Sequence, residues 1–475
     1  MIFSSTVFLF AFLPALILVY YTVPDQPAKR GRNLVFLAFS YLYYLYGAAS
    51  FLPFLLLSTL GDFGLARLIE ADHRRKRLWL VISLVLNLGL LGYFKYANFF
   101  VREVDLLRDY WGLPASTWVD VMLPIGISFF TFQKLSYMID VYRGDTTALR
   151  DPLDFALYVA MFPQLIAGPI VRFQTIRAQL RERRESWDRF YGGIVRIGWG
   201  LAKKVIIAET CGRFADTVFA LSPAMLDTKT AWLGAVAYTL QIYFDFSGYS
   251  DMAIGLGLLF GFILPENFNR PYSAVSITDF WRRWHISLSR WFRDYLYIPL
   301  GGNRHGATRA CLNMAVVFVL CGLWHGANWT FIAWGLFHGL FLIIERVSGL
   351  RHVAAHRWVI TRRVTTLLIV IVGWVLFRAV DFVQAAGFLS AMFTWRDLPL
   401  AYDLSLRLNP WDLGILFSAA AVFLLPPDFS GFGRVVARTH PRPTVAAVLL
   451  LLIVVPLCGF LIISIPAAPF IYFRF

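Results

Sequence analysis

Charged residues are scarce in this sequence. Only 15% of its 475 residues are Asp, Glu, Lys or Arg and 58% are hydrophobic, whereas a soluble domain has about 25% charged residues. Residues 310–344 contain no charged residue at all. Because one crossing of a lipid bilayer takes about 20 apolar residues, the composition predicts an integral membrane protein with many crossings and excludes a soluble domain.

Cysteine is also scarce. The four cysteines lie in or beside apolar runs, and no two of them have the C-x-x-C spacing of zinc and redox sites. We therefore expect no metal site. Residues 1–5 lack the basic region of a signal peptide, so the first apolar run is predicted to be a retained membrane span.

The charge balance is strongly basic, with 44 Lys and Arg residues against 29 acidic residues and a net charge of +15. A basic protein can bind nucleic acid. Here, however, the basic residues cluster in short loops between apolar runs, for example at 74–77, as membrane topology signals do. We expect membrane lipid around this protein and no nucleic-acid partner.

The loop charges also predict a topology. Basic loops belong on the cytoplasmic side, and the nearly balanced loops near 102–120, 216–230 and 380–410 belong outside. The sides alternate correctly if the run at 153–171, which a Gly-Pro pair interrupts, re-enters without crossing. The result is roughly eleven crossings in one all-α domain over residues 1–475, with both termini outside.

His325 lies inside the uncharged stretch, between Trp324 and Gly326. A titratable ring in lipid is costly, because burial disfavours its charged form. A neutral imidazole there can act as a base, an acid, a ligand or a hydrogen-bond partner; the alternative is a structural histidine bonded to a neighbouring helix. The stretch is predicted to form two helices, one ending near Trp324 and one beginning near Asn328. Trp324 and Asn328 are further candidates for contacts with the substrate, and a helix-packing role is the alternative for Asn328.

Residues 276–298 are predicted to form an amphipathic helix that starts at a capping box, Ser276 to Asp279. Apolar and aromatic residues recur at the spacing of one helical face: Trp281, Trp284, His285, Leu288, Trp291, Phe292 and Tyr295. Such a helix lies in the membrane interface or dips in from the cytoplasm. Arg282 and Arg283 could meet a phosphate-bearing donor, and they could equally pair with lipid phosphates. A plain membrane anchor with an incidental histidine is the alternative.

Three other polar residues, Asp245, Asp251 and His338, lie inside apolar runs, and Asp245 is a candidate for substrate binding. Asp245 and Asp251 are six residues apart, so a continuous helix would place them on different faces and not as an acid–base pair. Asp245 could bind substrate or bond a neighbouring helix. On one straight helix His338 would lie about 20 Å from His325, where we expect it to have a supporting or packing role.

Short motifs in a fixed order over nearly the whole chain resemble those of the membrane-bound O-acyltransferase family. They lie at 124–129, 162–169, 243–251, 265–272, 279–285, 324–326 and 470–475. The resemblance is closest to the bacterial branch that acylates alginate, peptidoglycan and lipoteichoic acid. It implies a bacterial inner-membrane protein with a ring of tilted helices around a central tunnel.

The resemblance also implies roles. His325, in the Trp-His-Gly motif, would be the catalytic histidine and the general base for the acceptor hydroxyl. His285 would hold the donor, orient the base or polarise the thioester carbonyl. The donor would be acetyl-CoA or another cytoplasmic acyl thioester, with no resident cofactor. The acceptor would be an exported, alginate-like polysaccharide, reached through an extracytoplasmic acyltransferase partner. Loop counting puts His325 at an external turn, whereas the family places it deep in the tunnel, so the turn is expected to fold inward.

Two other classes of function are alternatives. A transporter or flippase for a lipid-linked or acyl substrate also uses broken helices with polar groups near the midplane, but the sequence has no internal repeat. A di-iron membrane oxidase needs clustered histidine motifs, and the eight histidines are scattered.

Overall fold

The computed structural model describes residues 1–350, 358–399, 401–426, 444–464 and 470–471. Over these residues the chain forms helices and no β-strand, which confirms the predicted all-α class. The internal contacts divide the chain into two compact units, Met1–Phe190 with Leu256–Pro265 and Tyr191–Gly255 with Glu266–Phe475. The terminal motif at 470–475 lies within the described residues only at its first two positions.

The main helices of the first unit are α1 (Leu13–Thr22), α2 (Arg30–Ala48), α3 (Leu52–Ala71), α4 (Lys76–Tyr110), α5 (Ile127–Arg143) and α6 (Pro152–Ala160). Those that follow are α7 (Trp187–Ala202), α8 (Glu209–Phe219), α9 (Thr228–Leu259), α10 (Ile277–Arg283), α11 (Ile286–Phe292), α12 (Gly306–His325), α13 (Trp329–Val347), α14 (Val359–Arg378), α15 (Phe382–Phe393), α16 (Pro410–Ala420) and α17 (Val455–Ser464). A π-helical segment, Lys203–Ala208, continues α7 into α8.

Six helical segments among the described residues are long and apolar enough to cross a bilayer: Pro27–Ala71, Lys76–Tyr110, Gly306–His325, Trp329–Val347, Val359–Arg378 and Val445–Ser464. Shorter apolar helices accompany them at Phe8–Thr22, Phe382–Phe393 and Pro410–Phe423. These helices confirm a polytopic membrane protein. The predicted count of roughly eleven crossings and the position of the termini stay predictions.

The run at 153–171 is broken and buried. Helix α6 ends at Ala160, a single turn follows at Phe162–Leu165, and the chain then continues without regular structure. All residues from 157 to 171 are buried within the first unit. Non-helical backbone at membrane depth is tolerated where protein covers it, so this arrangement agrees with a segment that re-enters without crossing.

A buried ion pair holds α3, α4 and α5 together in the first unit. Lys134 Nζ on α5 lies 3.2 Å from Asp62 Oδ2 on α3. The other Asp62 oxygen accepts hydrogen bonds from Ser83 Oγ at 2.6 Å and from Asn87 Nδ2 at 2.9 Å, both on α4. Because buried charges are stable only when they are paired and hydrogen-bonded, this cluster fixes how the three helices pack.

The uncharged stretch folds as the predicted pair of helices. Helix α12 ends at His325, and α13 begins at Trp329 after Asn328, whose side chain accepts a hydrogen bond from the Thr330 N–H at 3.1 Å. A Cβ at Gly335 would overlap the carbonyl oxygen of Phe318. The two backbones therefore approach closely through a small residue, as membrane helices commonly do.

The prediction of one continuous helix over 276–298 differs from the structure. The Ser276 cap is present, since its Oγ accepts from the Asp279 N–H at 3.0 Å. The helix then breaks between α10 and α11, where His285 has left-handed backbone angles of φ 42° and ψ 54°. A left-handed conformation costs an L-residue about 1–2 kcal/mol, so contacts from elsewhere must hold this turn. The predicted apolar face is nevertheless buried, from Trp281 to Tyr295.

Candidate active site

His325 lies among aromatic rings contributed by three helices. Its imidazole is 3% exposed at the last residue of α12. The ring centroids of Trp324, Trp334 on α13 and Phe377 on α14 lie 4.8, 5.1 and 5.3 Å from its own, all in edge-on arrangements. A neutral imidazole fits such surroundings, because a charged ring would be poorly solvated there.

Gly326 allows this packing. A Cβ at Gly326 would overlap the ring of Phe331, which in turn lies 4.8 Å from Phe377. The Trp-His-Gly motif therefore has a steric basis: the glycine gives room for the first turn of α13 to pack beside His325. Both His325 and Gly326 are buried within the second unit; the depth of this turn in the bilayer stays a prediction.

His285 is fully buried at the break between α10 and α11. Its Nδ1 lies 3.2 Å from Asn267 Oδ1, and the ring centroid of Phe246 lies 4.7 Å from its own, with the two planes nearly perpendicular. Burial lowers the pKa of His285 to about 3, so its ring is neutral at physiological pH.

Trp324 joins the two histidines. Its indole lies 4.8 Å from the His325 ring and 6.0 Å from the His285 ring. The structure therefore brings together three residues predicted from the sequence to belong to the site, although His285 and His325 are separated by forty positions along the chain. Their roles in catalysis stay predictions.

His338 is nearer to His325 than a straight helix would allow. Its ring contacts Trp334 at 5.2 Å, and Trp334 also contacts His325. The expected separation of about 20 Å was wrong for this chain, because the break between α12 and α13 folds His338 back towards the site. The His338 ring is fully buried and packs parallel to Phe280, and neither of its nitrogens has a hydrogen-bond partner among the described residues. These contacts agree with a packing role.

Arg282 and Arg283, the two arginines predicted to bind phosphate, differ in whether they already have a carboxylate partner. Arg282 is exposed. Arg283 is partly buried, and its Nε lies 2.9 Å from Asp279 Oδ1 one turn earlier on the same helix. Arg282 is therefore free to reach a ligand phosphate without first breaking an ion pair, whereas Arg283 already has a carboxylate partner.

Asn328 and Asp245 make structural contacts. In addition to capping α13, Asn328 donates from Nδ2 to the Val380 carbonyl at 2.8 Å. Asp245 Oδ1 lies 2.9 Å from Lys204 Nζ, and Asp245 Oδ2 accepts from the Ile471 N–H at 2.8 Å. The carboxylate is 3% exposed. The structure thus supports the alternative in which Asp245 bonds neighbouring segments, and a substrate contact by either residue stays a prediction.

Asp251 belongs to a separate ion network. Its oxygens pair with Lys203 Nζ at 2.7 Å and with Arg196 Nη2 at 2.9 Å, and Arg196 also hydrogen-bonds Glu266. Asp245 and Asp251 therefore pair with different lysines, which are neighbours in the π-helical segment Lys203–Ala208. Across the described ranges, no three His, Cys, Asp or Glu side chains are placed to hold a metal ion.

Asn267 is the site residue that the sequence reasoning missed. Its side-chain oxygen contacts His285 and also accepts from the N–H and Oγ of Ser287, at 3.2 and 2.8 Å. Its backbone carbonyl accepts from the Ile286 N–H at 2.9 Å. It lies in the 265–272 motif that contributes to the family resemblance, and this motif was the sequence signal that could have identified Asn267 as a site residue.

Comparisons with known proteins identify the family of this chain. A family model described as MBOAT, the membrane-bound O-acyltransferase family, matches residues 147–379. The probable alginate O-acetylase AlgI of Pseudomonas putida is 45% identical over 447 residues, which cover 93% of this chain and 90% of that protein. The peptidoglycan O-acetyltransferase of Helicobacter pylori is 37% identical, over 85% of this chain and 81% of that protein.

A more distant similarity extends to the teichoic acid D-alanyltransferase of Bacillus subtilis, which is 30% identical over 52% of this chain and 65% of that protein. The matched residues of the family model include both histidines, His285 and His325. With 45% identity over most of both chains to one relative and a family model across the site, this protein is an O-acyltransferase that belongs to the membrane-bound O-acyltransferase family.

Proposed function

We propose that this enzyme moves an acetyl group from acetyl-CoA, or another cytoplasmic acyl thioester, across the bacterial inner membrane to hydroxyl groups of an exported, alginate-like polysaccharide. An extracytoplasmic acyltransferase partner receives the acetyl group and passes it to the polymer. The similarity to the Pseudomonas putida protein named as an alginate O-acetylase supports the choice of polymer.

His325 acts as the general base. One of its ring nitrogens takes the proton of the acceptor hydroxyl, and the hydroxyl oxygen attacks the thioester carbonyl. The tetrahedral intermediate then expels the thiolate, which receives the proton from the imidazolium. Imidazole suits this exchange because its pKa lies near neutral pH.

The main support for this proposal is the packing of aromatic rings around His325. Its imidazole is 3% exposed and packs against Trp334 and Phe377 as well as Trp324. A site that excludes water keeps hydrolysis of the thioester from competing with transfer to a hydroxyl. An exposed histidine would offer no such protection.

Arg282 provides the contact for the phosphates of the donor. It is exposed on α10, within one turn of the buried His285. Guanidinium groups bind phosphate oxygens in pairs of parallel hydrogen bonds. A donor held here would place its charged end in the aqueous phase, so that only the acyl group needs to reach the buried histidines.

The acetyl content of the exported polymer tests the cellular function. Mass spectrometry would compare the glycan of cells that lack this chain with that of cells complemented by the wild type, His325→Ala or His73→Ala. His73 is a loop histidine and serves as the control. We expect acetyl groups with the wild type and His73→Ala only. Wild-type acetylation by His325→Ala would contradict the proposal.

A further inference from the structure

The contacts of Asn267 determine which of its side-chain atoms faces His285. The atom that lies 3.2 Å from His285 Nδ1 also lies 3.2 Å from the backbone nitrogen of Ser287. A backbone N–H can only donate. The atom between them must therefore be the amide oxygen, because the amide nitrogen would set two donors against each other.

The other end of the amide agrees with this assignment. Asn267 Nδ2 donates to Ser250 Oγ at 3.3 Å, and the Ser287 hydroxyl adds a bond to the amide oxygen at 2.8 Å. Asn267 is 1% exposed. Since neither end of the amide can turn without losing a partner, the orientation of the side chain is fixed.

The backbone holds the same turn. The Asn267 carbonyl accepts from the Ile286 N–H at 2.9 Å, and the Asn269 N–H donates to the Arg283 carbonyl at 2.8 Å. These bonds lie on both sides of His285 and hold its left-handed conformation. The imidazole is therefore presented at one angle, with Nδ1 towards an oxygen that can only accept.

We infer that Asn267 is a positioning residue that fixes His285 as the Nδ1–H tautomer, so that Nε2 carries the lone pair and acts as a hydrogen-bond acceptor for an N–H or O–H group of a bound substrate. A neutral imidazole has one N–H, and the bond made by one nitrogen decides the state of the other. This inference rests on the proposed function only for the identity of the substrate.

This tautomer discriminates between the possible roles of His285. Polarising the thioester carbonyl would require an N–H at Nε2, which the tautomer lacks. Accepting a hydrogen bond from the hydroxyl of the acyl acceptor, or from an amide N–H of the thioester donor, requires the lone pair that it has. His285 therefore orients a substrate group and does not stabilise the oxyanion.

The tautomer is measured directly by ¹⁵N NMR of the full-length protein in lipid nanodiscs with labelled histidine. The His285 signal is assigned by its loss in His285→Gln. We expect a protonated Nδ1 and an unprotonated Nε2 in the wild type and in Asn267→Asp, whose carboxylate also accepts. Ser287→Ala, which keeps the backbone N–H, is the matched control and should preserve the tautomer, whereas Asn267→Leu should lose the preference. A wild-type Nε2–H signal would overturn the inference even if Asn267→Leu fails to fold.

Steady-state kinetics test separately whether His285 Nε2 accepts a hydrogen bond from the substrate. Because misplacing a reacting group by about 1 Å costs about 100-fold in rate, we expect kcat/KM to fall about that much in Asn267→Leu and to recover largely in Asn267→Asp. A rise in the KM of the thioester would identify its amide as the group held by Nε2, and a fall in kcat would identify the acceptor hydroxyl. Full transfer by His285→Leu, which has no hydrogen-bond acceptor in its side chain, would overturn the acceptor role, while the tautomer would still be decided by NMR.

Discussion

The indole of Trp324 lies 4.8 Å from the imidazole of His325, with the two ring planes nearly perpendicular. The same indole also contacts the ring of His285. One side chain thus contacts both histidines that the family resemblance singles out. Its contribution to catalysis can be separated from its contribution to stability, because a smaller aromatic ring can keep part of the contact.

We expect Trp324→Ala to lower the turnover number about 100-fold, because both imidazoles lose the surface that orients them. Trp324→Phe should retain activity within about tenfold, since an aromatic ring still fills part of the space. Trp395→Ala changes a tryptophan that is 74% exposed and should be without effect. Steady-state acyl transfer measures all three. Equal activity of Trp324→Ala and the wild type would show that the indole does not position the histidines.

The close contact of α12 and α13 depends on Gly335. Alanine there would overlap the Phe318 carbonyl oxygen, so we expect Gly335→Ala to lower the free energy of unfolding by about 1–3 kcal/mol. At Gly89 on α4 an added Cβ would meet no atom within 4 Å, and Gly89→Ala should be neutral or stabilising by up to about 1 kcal/mol. Thermal unfolding in detergent compares the two. The same effect from both substitutions would contradict a packing role specific to Gly335.

The free energy of unfolding should fall when the buried pair of Lys134 and Asp62 loses one partner. Lys134→Met leaves a carboxylate in the first unit without its cation, and we expect a loss of about 3–5 kcal/mol. Adding Asp62→Leu should recover part of this loss, because no isolated charge then remains. Lys229, which pairs with Asp397 at an exposed position, gives the control: Lys229→Ala should leave the stability close to that of the wild type, because solvent screens exposed ion pairs. A double variant less stable than Lys134→Met would argue against this explanation.

Variants of Arg282 and Arg283 should distinguish an arginine that binds the donor from one that has a structural role. Because Arg282 is exposed and Arg283 already pairs with Asp279, Arg282→Ala is expected to raise the KM for acetyl-CoA several-fold, with kcat unchanged, as loss of uniform binding does. Arg283→Ala should change this KM less. The comparison uses initial rates over a range of donor concentrations. An unchanged KM in Arg282→Ala would assign this arginine to lipid phosphates.

Local patterns in the sequence were sufficient for much of the fold. Apolar runs within and beside the uncharged residues 310–344 predicted two helices, one ending near Trp324 and one beginning near Asn328. The capping box from Ser276 to Asp279 predicted the start of α10. The burial of Trp281 and Trp291 followed from helical periodicity.

The break at His285 could not be predicted from local patterns. Apolar residues continue at helical spacing across it, and no glycine or proline marks it. The left-handed turn is held by Asn267, eighteen positions earlier, through a contact that exists only after folding. The proximity of His338 was missed for a related reason, because it depends on how α13 folds back beside α12. Long-range contacts decided both features, whereas propensity and periodicity describe only neighbours in sequence.

The role proposed for His325 is that of the base for acyl transfer. Its most direct test is a single-turnover experiment with purified protein in nanodiscs, labelled acetyl-CoA and the acceptor partner, in which transfer of label to the partner is followed in time. We expect transfer by the wild type and by the control His73→Ala, and a loss of at least about 100-fold in His325→Gln, with the thermal stability of the variant retained. Transfer by His325→Gln at the wild-type rate would contradict the claim.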